Sequence, residues 1–177
     1  MRFKLIEKVV MMRTALRPAL LAVLLSSAFL YAQSKSGLLS ADEVKHLTPA
    51  TYFFAGQSAP VQIRNSSGFR TNDNKLVLIG MVDTSGYAAD VQQKYQGFFI
   101  TEKKLKVGDA DIAPGQYGFG FSKDGKFMML DVAANEIAST SSSKDDKLAR
   151  PVPLRIVADG DGYKLYVGRN WVSIKPE

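Results

Sequence analysis

From Thr51 onward the chain repeats one device. A short run rich in Val, Ile, Phe and Tyr is followed by a cluster of Gly, Pro, Asn or Asp. Runs of this kind form strands, and clusters of this kind form turns. The pattern predicts strands near 50–56, 60–64, 67–71, 75–83, 96–101, 105–108, 115–122, 126–133, 152–158 and 162–174. Turn chemistry stands at NDN (72–74), KDG (123–125) and DGDG (159–162). Strands joined by such tight turns pair antiparallel, so the expected fold is mainly β, an antiparallel sandwich or barrel. The pattern does not separate those two.

Two short helices interrupt the strands. SADEVKHL (40–47) has Ser40 at an N-cap position and Glu43 three residues on, the spacing of a capping box, and ends before Pro49. SGYAADVQQKY (85–95) places Tyr87, Val91 and Tyr95 on one helical face, with Ser85 as its cap. The flanking runs KLVLIGMV (75–82) and GFFI (97–100) do not alternate between apolar and polar. A strand with one wet face alternates and a strand covered on both faces does not. The inserted helix, or a partner chain, is therefore expected over the outer face of these strands. STSSSKDDK (139–147) is small, polar and charged, and reads as an exposed mobile loop.

Residues 1–32 carry the marks of an export signal. Arg13 and Arg17 precede the apolar run ALLAVLLSSAFL (19–30), which is shorter than the roughly 20 residues of a spanning helix. Cleavage is expected after Ala32 or after Ala28, and translation from Met11 or Met12 is a further expectation. The reading divides the chain into a signal peptide (1–32), a linker with a short helix (33–48) and a single β domain (49–177). It places the protein outside the cytoplasm, periplasmic or extracellular, with no stable membrane span after cleavage. The leader holds five of the 23 basic residues and one of the 17 acidic ones. The remainder keeps 18 and 16, a formal charge of +2, so the bulk argument for a nucleic-acid partner disappears. There is no cysteine, which excludes disulfides, thiolate nucleophiles and thiolate metal ligands.

YGFGFSKDGKFMMLDV (117–132) raises the question of a phosphate-binding loop. A dinucleotide fingerprint needs a third glycine after Gly118 and Gly120, and it is missing. Gly120 to Gly125 has the P-loop gap and Lys126 follows, but Phe127 stands where a magnesium-binding hydroxyl belongs. A hairpin accounts for every residue instead. Tyr117, Phe119 and Phe121 share one face, Gly118, Gly120 and Ser122 the other, and Lys-Asp-Gly turns the chain. Glycines on one strand face mark a close approach, here against a facing aromatic ring, or a barrel corner; the sharper alternative is a shallow groove for a flat ligand.

Other chemistry is thin. His46 is the only histidine and lies in the first helix beside Lys45. Asp159 and Asp161 lack the third acidic position and the glutamate of a calcium loop. Asp109 with Asp111 forms a second carboxylate pair, near a turn where Asp serves local hydrogen bonding. No metal site and no cofactor are expected. The richest remaining signal is aromatic. In YKLYVGRNW, Tyr163, Leu165 and Val167 share one face, Lys164 and Tyr166 the other, and Arg169 and Trp171 fall at a strand bend. Tyr117, Phe119, Tyr166, Arg169 and Trp171 are the candidate ligand-binding residues. The leading expectation is an exported non-catalytic binding module for a small apolar or sugar-like ligand. The alternatives are an envelope structural or protein-interaction domain, including a homodimer, and an enzyme using carboxylates or Ser and Lys.

Overall fold

The computed structural model describes residues 36–177. They form two antiparallel sheets that face each other as a sandwich and do not close into a barrel. The strands are β1 Gly37–Leu38, β2 Thr51–Phe54, β3 Gln57–Arg70, β4 Leu76–Val82, β5 Gly97–Thr101, β6 Leu105–Val107, β7 Ala110–Ile112, β8 Gly115–Phe121, β9 Lys126–Leu130, β10 Glu136–Ser141, β11 Ser143–Lys144, β12 Val152–Asp159, β13 Gly162–Gly168 and β14 Asn170–Pro176. The helices are α1 Ala41–Leu47 and α2 Ala89–Lys94. One sheet runs β1-β3-β4-β5-β8-β9-β10, with β2 also paired to β3. The other runs β12-β13-β14-β6-β7, with β11 also paired to β14.

Period-two alternation builds the core between the sheets. The first sheet contributes Phe69, Val77, Ile79, Phe99, Phe119, Phe127 and Met129 to it, and the second Leu105, Val107, Leu154, Ile156, Leu165, Val172 and Ile174. The opposite side chains of β4 and β5 are buried as well. Leu78, Val82 and Phe98 join Tyr52, Phe54, Tyr87, Tyr95 and Leu130 in a second apolar cluster on the outer face of the first sheet. The cover comes from the chain itself. The β2–β3 hairpin and α2 lie there, with Tyr52 stacked on Phe98 at 5.3 Å and Phe54 on Tyr95 at 3.8 Å. That arrangement explains why the sequence of β4 and β5 does not alternate.

Glycines make these contacts possible. Gly118 lies beneath the Phe54 ring, Gly80 beneath Phe98 and Gly97 beneath Phe119. Gly120 lies against the backbone carbonyl of Lys94 at the end of α2. The glycines of the β8 face are thus seats for an aromatic hairpin and a helix end. The β8–β9 turn is closed by Ser122 N–H donating to Lys126 O at 2.8 Å, with Gly125 at φ +80°.

Several sequence expectations change. The predicted strands 60–64 and 67–71 are one strand, β3, whose register shifts between Val61 and Ser66 so that residues 62–65 stand opposite Met81 alone. The predicted strand 162–174 reverses at Gly168–Arg169 into the β13–β14 hairpin. The loop reading of 139–147 holds for 145–147 but gives way to β10 at 139–141 and β11 at 143–144, because a Ser/Thr-rich edge strand is held by backbone pairing to β9 and β14 and needs no apolar pattern. Ser40 and Glu43 do form the capping box of α1. Ser85 does not cap α2: its N–H donates to Asp83, and Ala88 stands at the cap without a side-chain bond. Tyr87 precedes the helix, yet it is buried and its hydroxyl donates to Phe54 O. Within the segment 33–48, strand pairing already begins at Gly37, which pairs with Arg70 of β3. The predicted signal peptide lies outside the described residues.

The second cluster predicts a response to alkali. Burial pushes the Tyr52 hydroxyl up to about 12, and raises Tyr95, whose ring is fully buried, further. Both ionise more easily in the unfolded chain, near pH 10. Their contribution is whole below about pH 10 and is lost as pH climbs through the folded values, with a slope of about 1.4 kcal/mol per pH unit for each group. Urea midpoints measured from neutral pH upward are expected to fall beyond about pH 10. Tyr95→Phe is expected to flatten that fall. It also removes a buried hydroxyl that has no hydrogen-bond partner among the described residues, so stability at neutral pH should hold or rise by up to about 1 kcal/mol. An alkaline profile identical in Tyr95→Phe contradicts the assignment.

Candidate functional site

The outer face of the β12–β14 sheet carries the candidate site. Tyr163, Leu165 and Val167 of β13 face the core, which turns Lys164 and Tyr166 outward. On β14, Val172 and Ile174 are buried, which turns Trp171, Ser173 and Lys175 to the same outer side. Register then aligns one row across four strands: Arg155 opposite Tyr166, Tyr166 opposite Trp171, and Trp171 opposite Ser143. The Tyr166 and Trp171 rings lie 6.2 Å apart, tilted by 35°, and both are half-buried. The Lys164 ammonium stands 4.7 Å from the centre of the Trp171 ring and pairs with Asp159 at 3.1 Å. In front of the rings is a shallow cavity of about 450 Å³, bounded by Lys144, Asp145, Asp146, Lys147, Lys164, Tyr166 and Trp171.

Arg169 has a different role from the one its sequence position suggests. It sits in the two-residue turn between β13 and β14, and its Nη1 donates to three backbone carbonyls: Asp145 at 3.2 Å, Asp146 at 3.0 Å and Leu148 at 2.6 Å. In return Asp145 N–H donates to Arg169 O at 2.9 Å. The guanidinium thus pins the segment that walls the cavity, and the Lys144–Asp146 pair at 2.8 Å braces the same wall. Arg169 is a positioning residue for the wall. No local sequence pattern announces this, because its three acceptors lie some twenty residues away.

The structure does not bring Tyr117 and Phe119 to this face. They lie on β8 in the other sheet. Phe119 is 0% exposed and stacks on Phe127 at 5.8 Å, because alternation along β8 points it between the sheets. Tyr117 folds over Gly115 and donates its hydroxyl to Ala113 O at 2.9 Å. Of the five predicted residues, Tyr166 and Trp171 form the platform and Arg169 supports it.

The carboxylate pairs singled out in the sequence are engaged locally. His46 is exposed on α1. Asp159 pairs with Lys164 and Asp161 with Lys175 at 3.2 Å, so each carboxylate of the DGDG turn has its own lysine. Asp111 pairs with Lys104 at 3.7 Å, and Asp109 accepts a short hydrogen bond from the Thr140 hydroxyl. The bond from Thr140 holds Asp109 below the usual carboxylate range, and the bond from Lys175 does the same for Asp161. A general acid needs the opposite shift. Among the described residues no three His, Asp or Glu side chains gather to hold a metal ion. A wider cleft of about 790 Å³ lies between α2 and the β8–β9 hairpin, lined by Gln92, Gln93, Lys94, Lys123 and Asp124 over the edge of Met128. The aromatic residue of its lining, Phe121, is buried at 5% exposure. No family model, no curated protein and no solved structure matches the chain, so the candidate site rests on its own geometry.

Proposed function

We propose that the protein is an exported, non-catalytic binding module that holds a sugar-like ligand on the Tyr166–Trp171 face. The carrying observation is the cross-strand pair of half-exposed rings beside a cavity whose wall is fixed by Arg169. Aromatic faces stack on the C–H faces of pyranose rings, while the polar rim binds hydroxyls. An open, charge-rimmed cavity suits such a ligand better than a purely apolar one, which favours enclosure. Export is supported by the leader pattern of residues 1–32. Among the described residues no helix is long and apolar enough to cross a membrane. Terminal sequencing of the protein recovered outside the cytoplasm tests export, with Gln33 or Phe29 as the expected first residue.

Trp171 is the only tryptophan, so its emission reports directly on the platform. Titration with an array of neutral and acidic glycans is expected to change that emission. Trp171→Ala and Tyr166→Ala, followed by calorimetry, are each expected to weaken binding about tenfold, which is about 1.4 kcal/mol. Their melting curves should stay close to wild type, since both rings lie outside the core. Binding that survives both substitutions, or an array without a ligand, refutes the proposal.

A protein-interaction reading has one specific support. Phe53 is 57% exposed on β2, and Val132 and Ile137 are exposed in and after the β9–β10 turn, which Ala55 N–H ties to the end of β2 through Val132 O. Exposed apolar side chains gathered at one corner mark an interaction surface. A mass above the monomer in light scattering, abolished by Phe53→Ser, is its expected signature.

A further inference from the structure

We infer that the ligand of the Tyr166–Trp171 face is an acidic, carboxylate-bearing sugar chain. The inference rests on the binding reading above and adds the charge of what is bound. Acidic side chains near the rings are already engaged: Asp159 with Lys164, Asp146 with Lys144, and Asp145 with the backbone N–H of Lys147. Arg155 and Lys147 are exposed and make no ion pair among the described residues. One of these cations lies in the aromatic row and the other lines the cavity. The face therefore presents positive charge in excess, next to two rings.

The geometry suits one chemistry. Arg155, Tyr166 and Trp171 sit side by side on adjacent strands, and two strand spacings make about 10 Å. That is the length of a disaccharide. One sugar can lie along the rings while the carboxylate of its neighbour meets Arg155. The guanidinium fork matches a carboxylate with two parallel hydrogen bonds, and among the described residues Arg155 has no ion pair to give up. Lys147, which lines the cavity without an ion pair among the described residues, adds a second cation on the same face. An acidic peptide would satisfy the charges but would leave the flat ring faces without a pyranose to stack on.

The test uses two matched probes on the full exported chain: a hexasaccharide of galacturonate, and the same hexasaccharide with its carboxyl groups reduced to neutral alcohols. Binding is read by Trp171 emission and by calorimetry. The acidic probe is expected to bind at least about tenfold tighter at low salt. Raising NaCl to about 0.5 M, where the screening length is about 4 Å, should remove most of the advantage. Arg155→Gln is expected to reduce the preference to about threefold or less. Arg64→Gln, which deletes an exposed charge on the other sheet, should leave it intact and so separates the site from overall charge. Equal affinity for the two probes overturns the acidic assignment while the sugar reading stands. A preference that persists in Arg155→Gln, or that Arg64→Gln removes equally, also overturns it. Failure of both probes, together with an array free of any glycan ligand, overturns both readings.

Discussion

Gly120→Ala is expected to lower the thermal midpoint of the domain by about 10 °C, from a loss of about 3 kcal/mol. A Cβ at this position meets the Lys94 carbonyl oxygen well inside van der Waals contact and lies 2.8 Å from the carbonyl carbon. The obstacle is backbone, and that backbone is tied down on both sides. Gln96 N–H donates to Phe119 O at 2.8 Å, Gln96 Nε2 donates to Phe121 O at 3.1 Å, and Phe121 N–H donates back to Gln96 Oε1 at 3.0 Å. To admit one methyl group, the end of α2 must lift from β8 and strain or break these bonds. The measurement is a melting curve by circular dichroism. A midpoint within about 2 °C of wild type would show that α2 is not seated on Gly120.

Phe54→Ala is expected to cost about 3–5 kcal/mol, the range for truncating a buried phenylalanine. The ring is 0% exposed, stacked on Tyr95 and edge-on to Tyr87 at 6.3 Å. It also lies over Gly118, where a Cβ would come 2.9 Å from its Cζ. Gly118→Ala alone should therefore destabilise by about 2 kcal/mol through overpacking. In the Phe54→Ala background the new methyl group enters space the ring has left. The pair is expected to cost less than its parts by about 1–2 kcal/mol, read from urea unfolding of all four proteins. Strict additivity would mean that the hairpin and the glycine face are not in direct contact.

Much of this architecture is legible in the sequence because it depends on local physics. The turns at 123–125 and 159–162 announce their hairpins through residues that tolerate positive φ, as Gly125 at +80° and Gly160 at +61° do. The failure of β4 and β5 to alternate signals a second cover, and the cover exists. Its main component, the β2–β3 hairpin, is not readable, because TYFF gives no sign of which sheet it lies on. β10 and β11 are hidden for a related reason: their pairing is made by backbone, and Ser139, Ser141 and Ser143 carry no pattern. At the site, alternation along YKLYV correctly turns Tyr166 outward. Alternation along YGFGF does not say which face is the core, and Phe119 lies inside it. The position of Arg169 at a strand bend is visible in the sequence, while its three carbonyl partners depend on tertiary contact.

The two sheets are unequal in what they conceal. The first is dry on both sides along β4, β5 and β8, whereas the second turns Arg155, Val157, Lys164, Tyr166, Trp171 and Ser173 outward, with none of them fully buried. Those six positions form a grid on adjacent strands, anchored from behind by Leu165, Val172 and Ile174. A combinatorial library confined to the grid would vary what the domain touches and leave untouched what folds it. With no thiol to protect, such variants could be made and screened in a reducing cytosol. The sandwich thus keeps an outward grid that can be varied apart from the core that folds it.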